Sequence, residues 1–398
     1  MINLIAILSG LWITLEIAGF LNERKIKRKQ YVYYNVDAGC IKGAIHQKDL
    51  REFINKNQAL MDVQTAPVIG WMMKPAINNG VVWSDQYGFR NDPNIDLKGK
   101  TVVAVFGGSV GHGSYASDNT KTLSSRLQHY LREEYRWDIV VLNLAGPSYT
   151  LLQEVSLFNL VLEKFNIKVA VFVDGENDVA SYFMGYPKFL GFLAPPFGGW
   201  DKVSRGVIKV DTFLKTLVRF ILQFSFAARF MRRMIKKTPK EAEKDFISDD
   251  HTPKDVVDSF QSFKTIINER LKATGRKGLM TLQPVLYDYQ TPNQEEEKFL
   301  NRYTEDRIKW WRKCYQSLKE SIYPKWATYY MTNKVEDDVI CADFTHIMDN
   351  IPESVFVDDC HFGDLGNDIY ARNIFNVIKV QGWLEGSLKK SNERMQRV

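Results

Sequence analysis

The sequence predicts a doubly wound α/β domain, and three observations carry that expectation. Short, unbroken apolar runs recur at Val102–Phe106, Ile139–Leu144 and Val169–Val173. Runs of this length read as strands buried on both faces, as parallel strands are. Stretches of helical spacing lie between them, the first with Leu123, Leu127, Tyr130 and Leu131 in register. Each run also ends in small or polar residues: Gly107-Gly108-Ser109, Asn143 to Tyr149, and Asp174 to Asp178. In open α/β sheets ligands bind at that carboxyl edge.

The chain has 398 residues, enough for one large domain or two small ones with an ample core. Its 45% hydrophobic and 25% charged residues are those of a globular protein. The net charge of +6 is concentrated in a few basic clusters, which favours local contact with an anionic surface. No aromatic-basic RNA motif and no zinc-finger spacing occurs, so nucleic acid is not an expected partner. Cys40, Cys314, Cys341 and Cys360 form no C-x-x-C pair. That excludes a disulfide scaffold, while one bridge or four free thiols both remain open.

Taken in order, residues 1–22 read as a membrane anchor. Leu4 to Phe20 is apolar apart from Ser9, Thr14 and Glu16. About 17 helical residues reach about 26 Å, near the lower limit for a span. A cleaved signal peptide fits less well, since a positive start and a small-residue cleavage site are missing. Arg24, Lys25, Lys27, Arg28 and Lys29 follow the apolar run. The positive-inside rule then places the body in the cytoplasm, or the cluster rests on anionic headgroups. Residues 23–98 form a lead-in of short strands and loops, with turn signals at Asn78-Asn79-Gly80 and Asn91-Asp92-Pro93.

The domain proper is expected over 99–382. Its first strand runs into Ser109, and three readings compete there. One is a turn without chemistry. Another is a phosphate cradle, since Gly111 to Ala116 fits G-x-G-x-x-A, a weak match without an acidic residue ending the next strand. The third is a nucleophilic serine, which needs a base elsewhere. A second strand ends at Leu144 and a helix follows over about 151–165. The third strand ends in Asp174-Gly175-Glu176-Asn177-Asp178.

An insertion is expected at about 186–277. It holds a loop at Gly191–Gly199, a long basic-ended helix at Phe213–Lys237 and a polar stretch at Thr238–Asp255. That helix reads as a cap on the core or as a membrane-surface helix. Gly278–Leu282 reads as a fourth strand, Glu295–Ile322 as helix, and Ser354–Val357 as a fifth strand ending in Asp358-Asp359-Cys360-His361. A final helix over about Asn367–Val380 precedes a basic tail, 383–398.

His361 follows an expected strand end, as Ser109 does, and Asp358 lies three residues before it. Asp358 can accept the Nδ1 proton while Nε2 faces the serine, the orienting role a triad needs. Cys360 is a weaker candidate nucleophile. Asp358, Asp359 and His361 are too close together for a complete metal site without ligands from elsewhere.

These residues carry a resemblance. The chain from about Gly88 to Val380 resembles the SGNH (GDSL-type) hydrolase and acyltransferase superfamily in four blocks. Phe106-Gly107-Gly108-Ser109 resembles the nucleophile block, and Asn143 to Tyr149 the second. Gly175-Glu176-Asn177-Asp178 fits G-x-N-D, and Asp358-Asp359-Cys360-His361 fits D-x-x-H. Tyr87-Gly88-Phe89-Arg90 is similar to membrane-anchored bacterial members. The resemblance implies a flavodoxin-like three-layer fold and an enzyme without cofactor or metal. Ser109 is then the nucleophile, His361 the base and Asp358 its orienter. The oxyanion is held by the backbone N–H groups of Ser109 and Ser148 and the Asn177 amide.

Two departures stand out. Gly108 replaces a usual aspartate, and Ser148 falls where the family has glycine. The chemistry implied is esterase or O-acyltransferase action on an acyl ester of a glycan or lipid. The alternatives are a catalytically silent relative in glycan binding or envelope assembly, and a nucleotide-binding α/β protein. By resemblance the catalytic body is extracytoplasmic, against the charge rule.

Overall fold

In a computed structural model, the structure describes residues 63–80, 82–135, 138–186, 251–290, 292, 294–301 and 303–385. The expected membrane anchor, the Phe213–Lys237 helix and the basic tail from residue 386 lie outside them. Among the described residues, no helix is long and apolar enough to cross a membrane.

The expected α/β architecture is present as a six-stranded parallel sheet with helices on both faces. In chain order the elements begin with a hairpin, β1 (Val63–Ala66) and β2 (Gly70–Met73). Then come β3 (Thr101–Gly107), α1 (Ser109–His112), α2 (Leu123–Tyr135), β4 (Ile139–Asn143), α3 (Leu151–Val161), β5 (Ile167–Asp174) and α4 (Glu176–Phe183). After residue 250 follow α5 (Pro253–Thr274), β6 (Lys277–Leu282), α6 (Gln294–Leu300), α7 (Glu305–Ser321), β7 (Lys325–Trp326), α8 (Ala327–Tyr330), β8 (Val339–Asp343) and α9 (Asp364–Gln381). The sheet order is β4-β3-β5-β6-β8-β7. Its first five strands follow the flavodoxin-like order, whose direction reverses between β3 and β5. Ser109 and Asn177 lie just beyond the carboxyl ends of those two strands, the point at which sheets of this order bind ligands.

The alternation along β3 shows why its apolar run is unbroken. Val102, Ala104 and Phe106 face one hydrophobic cluster, and Val103 and Val105 face the other. On the first face Phe106 stacks on Phe172 with centroids 5.0 Å apart, and Phe158 meets both rings edge-on. That face is covered by α3, α5 and α7, the other by α2 and α9. The predicted stripe Leu123, Leu127, Tyr130 and Leu131 is the buried face of α2.

Two expectations are corrected. Ser354–Val357 is not a sheet strand. It makes a local bridge, Phe356 to Phe362, closing a loop in which the Val357 N–H donates to His361 O at 2.9 Å. Val355 and Phe356 are buried against α9, and this burial in a loop mimics a strand pattern. The fifth long strand is instead β8, Val339–Asp343, paired with β6. The single helix expected at Glu295–Ile322 is two, α6 and α7, because the Thr304 side chain caps the Arg307 N–H at 3.2 Å and restarts the helix. Residues 253–274, within the stretch read as an insertion, form a long helix packed on one face of the sheet. Its Val256, Phe260, Phe263, Ile267 and Leu271 are buried at helical spacing, and Pro253 opens its first turn.

The lead-in shares the core. Trp71 and Phe89 belong to the α3-side cluster. The Trp71 indole donates to Pro147 O at 2.9 Å, and the Tyr149 hydroxyl donates to Trp71 O at 2.5 Å. Gly88 is tightly enclosed: its φ is +84°, and a Cβ there would lie 2.2 Å from Met73 O. Both the backbone angle and the collision are prohibitive for a side chain. Gly88→Ala should cost about 2 kcal/mol or more of unfolding free energy, read by denaturant titration.

Candidate active site

Ser109 opens α1, a single turn at the end of β3, and remains partly accessible. The turn is held from behind. Asn143 donates from its amide to His112 O at 3.4 Å, Asn91 receives the Asn143 N–H at 2.8 Å, and the Arg90 guanidinium donates to Gly113 O. Tyr87 and Phe89 N–H groups in turn bind Asp85 Oδ1 at 2.8 and 3.0 Å. The Gly88–Arg90 segment is thus a buried brace under the candidate nucleophile. Gly111 lies within this buried turn with Ala145 closely packed against it, so the G-x-G-x-x-A match spans a helical turn rather than an open loop.

His361 stands over Ser109. Its Nε2 is 2.6 Å from Ser109 Oγ, and its Nδ1 is 2.7 Å from Asp358 Oδ2. With Nδ1–H donating to the carboxylate, Nε2 accepts the serine proton. Asp358 Oδ1 also receives the N–H groups of Cys360 and His361 at 3.0 and 2.8 Å. The Tyr115 ring packs on the imidazole at 4.9 Å.

Burial pulls the His361 pKa down. The Asp358 charge, the hydrogen bond to it and the charge of Asp359 outweigh burial and leave it raised above 6.5. For Asp358 burial acts upward, but the imidazole and the two backbone N–H groups outweigh it and hold the carboxyl below its ordinary value. Cys360 is buried, its thiol pushed up by desolvation and by neighbouring acids. Its Sγ lies 3.4 Å from His361 Nδ1, the nitrogen turned away from Ser109, so it is not an activated nucleophile. Donor atoms of Asp358, Cys360 and His361 lie within 4.8 Å of one another. A cation there would have to replace the Asp358–His361 hydrogen bond. Cys314, Cys341 and Cys360 are unbridged, and Cys40 lies outside the described residues.

The predicted oxyanion donors come from the first turns of α1 and α4 and from the loop between β4 and α3. Asn177 Nδ2 donates to Tyr149 O at 2.8 Å, which spends one of its two N–H bonds and leaves the other. A Cβ at Gly108 would lie 2.1 Å from that nitrogen and 3.2 Å from Tyr149 O. The departure at Gly108 therefore has a cause: the Asn177 amide fills the space a side chain would take. Ser148 has φ +60°, the left-handed region in which a non-glycine residue is strained. Asp178 accepts the Leu151 N–H at 3.1 Å, tying the Asn177 turn to the start of α3.

Sequence reasoning missed a second set of contacts. Arg307 on α7 lies between the rings of Tyr303 and Trp311 at 4.4 and 4.5 Å, and its Nη2 is 3.1 Å from Asp359. The Tyr287 hydroxyl donates to the same Asp359 oxygen at 2.5 Å, and the Trp311 indole donates to Glu176. Asp359 is thereby pinned from the side opposite Asp358, which fixes the turn carrying His361. No spacing could reveal this, because Arg307 and Asp359 are 52 residues apart.

Ser148→Gly removes the positive-φ strain and should stabilise the protein by about 1 kcal/mol in thermal or denaturant unfolding. Because His361 must be neutral to accept a proton, activity should fall on the acid side with a midpoint above 6.5. Asp358→Asn removes the charge that raises it, so that midpoint should move to lower pH while kcat drops about 10³- to 10⁴-fold.

No family model matches the chain, and no protein of curated function matches it in sequence. Solved structures do show likeness. A two-domain esterase active on acetylated mannans aligns at 12% identity and TM-score 0.35, over 72% of this chain and 51% of its own. The chain thus spans about half the length of that esterase. An acetyl xylan esterase aligns at 12% identity and TM-score 0.33, over 70% of this chain and 99% of its own. A lipase/acylhydrolase from Enterococcus faecalis aligns at 14% identity and TM-score 0.35, over 70% and 95%.

Proposed function

We propose that the chain is a serine esterase or O-acyltransferase of the SGNH type, acting on an acyl ester of a glycan or lipid. One observation carries this reading: Ser109, His361 and Asp358, from chain segments far apart, form a continuous hydrogen-bonded line at the sheet's carboxyl edge.

The steps follow from that line. Ser109 Oγ attacks the ester carbonyl carbon as its proton passes to His361 Nε2, a contribution of about 10²- to 10⁴-fold. Asp358 stabilises the imidazolium without taking the proton. The oxygen that gains charge is held by the N–H groups of Ser109 and Ser148 and the Asn177 amide. Each such donor is worth about 3 kcal/mol in acyl-transfer enzymes. The tetrahedral adduct collapses, the alcohol leaves with the His361 proton, and the acyl group stays on Ser109. Water then gives hydrolysis, and a second hydroxyl gives transfer. Neither route needs a cofactor or metal.

The membrane anchor is proposed on Leu4–Phe20 alone, and a reporter fused after Gln30 reads which side the body occupies. A silent, glycan-binding relative is the rival reading, motivated by the strained Ser148. The two part in one assay. The protein should be labelled covalently by a fluorophosphonate and hydrolyse short aryl esters. Ser109→Ala and His361→Ala should lose both, with kcat down by at least about 10³-fold. A folded wild type that neither labels nor turns over would establish the silent relative instead.

A further inference from the structure

A second carboxylate stands beside the candidate base. Asp359 follows Asp358 in the chain, yet its side chain bonds Arg307 and the Tyr287 hydroxyl rather than the imidazole. We propose, on the serine-enzyme reading of this site, that the Arg307–Asp359 pair sets the pH at which His361 takes the Ser109 proton. Asp359 is then a positioning residue that acts on the ring through space, and Arg307 limits how strongly it acts.

The pair is built into the fold. The Arg307 and Asp359 side chains are 23% and 11% exposed, so most of each charge is out of water. Both side-chain bonds of Asp359 fall on one oxygen, Oδ2: the Tyr287 hydroxyl at 2.5 Å and Arg307 Nη2 at 3.1 Å. Its backbone O also receives the Leu286 N–H at 2.9 Å. The guanidinium is flanked by the rings of Tyr303, Trp311 and Tyr287 at 4.4, 4.5 and 5.6 Å. Arg312, further along α7, donates to Tyr287 O at 2.8 Å and so holds the segment that carries that hydroxyl. Taking such a pair out of water costs desolvation that its own attraction barely repays. Its net contribution to folding is small, and its effect on a charge next to it is not.

That neighbouring charge forms on His361. Its own turn presents Asp358 at Nδ1, Cys360 Sγ at 3.4 Å, and Asp359. The Ser109 hydroxyl comes from α1 and the Tyr115 ring from the loop after it. Around Asp359 stand Arg307 on α7, Tyr303 just before it, Tyr287 after β6, and Glu176 on α4, whose carboxylate bonds the Trp311 indole. Burial pulls the imidazole's pKa down, Asp358 raises it most, and Asp359 raises it further through space. A cation 3.1 Å from the Asp359 oxygen turns a single charge into a dipole, whose field at the ring is weaker. A base that holds its proton too tightly is blocked near neutral pH, and one that holds it too loosely accepts it poorly. Asp359 and Arg307 pull the ring in opposite directions between those limits.

Titration of the His361 ring in the full chain tests this, followed by NMR and by the pH dependence of aryl-ester turnover. Asp359→Asn removes the charge and keeps an oxygen for the Tyr287 hydroxyl. Its midpoint should fall by about 0.5 to 1 in pH. Its kcat on the plateau should drop less than about tenfold, against about 10³- to 10⁴-fold for Asp358→Asn. Adding Arg307→Gln to Asp359→Asn removes the opposite charge, so the midpoint should climb back toward the wild-type value, a reversal that damage to the turn does not produce. The proposal is overturned if the Asp359→Asn midpoint stays at the wild-type value, or if the second substitution fails to raise it. A kcat loss in Asp359→Asn equal to that in Asp358→Asn would also overturn it, by making Asp359 an orienter of the ring. Failure of the serine-enzyme reading shows separately, as a wild type without turnover, while the ring titration still reports what the pair does to His361.

Discussion

The imidazole of His361 joins two parts of the chain 252 residues apart, and the rest of the carboxyl edge is arranged so that it can. One ring nitrogen must meet Ser109 at 2.6 Å while the other meets Asp358 at 2.7 Å. An error of about 1 Å at either end breaks that line, so both loops need rigid support. Ser109 obtains it from a one-turn helix wedged between β3 and the Asn143 loop. Asp358 obtains it by receiving two N–H groups of its own turn, and the imidazole with these two groups holds its carboxyl below the ordinary value in a buried setting.

Much of this support is polar and desolvated, which is costly unless every group is satisfied. Arg307 shows one solution: its cation is flanked by two aromatic faces and paired with Asp359. Arg90 shows a partial one, with its Nη1 and Nε occupied and its Nη2 open. The two arginines brace the two halves of the candidate site, Arg307 behind His361 and Arg90 behind Ser109.

The glycine at 108 and the serine at 148 also make sense as packing. Gly108 is small because the Asn177 amide stands where its side chain would be. Ser148 holds a left-handed backbone that glycine would adopt freely. Strain of this kind persists only where the surroundings over-determine the conformation, and here the Trp71–Pro147 and Tyr149–Trp71 bonds hold the loop on both sides. Residues 63–98 of the lead-in are therefore part of the site's framework.

What the sequence determined by itself is local and periodic. Apolar runs defined β3, β4, β5 and β6, helical spacing defined α2, and four short blocks named Ser109, Asn177, Asp358 and His361. Each signal lies within a few residues, where strand and helix periods act. Where burial and secondary structure parted company, that reading failed: Val355 and Phe356 are buried in a loop and looked like a strand, while Val339–Asp343 was overlooked. Only the tertiary structure decided that Ser109 and His361 meet, that Asn177 occupies the space beside Gly108, and that Arg307 and Arg90 stand behind the two loops. Those contacts span tens to hundreds of residues, and no periodicity records them, because they arise from how the sheet's crossovers bring distant loops to one edge.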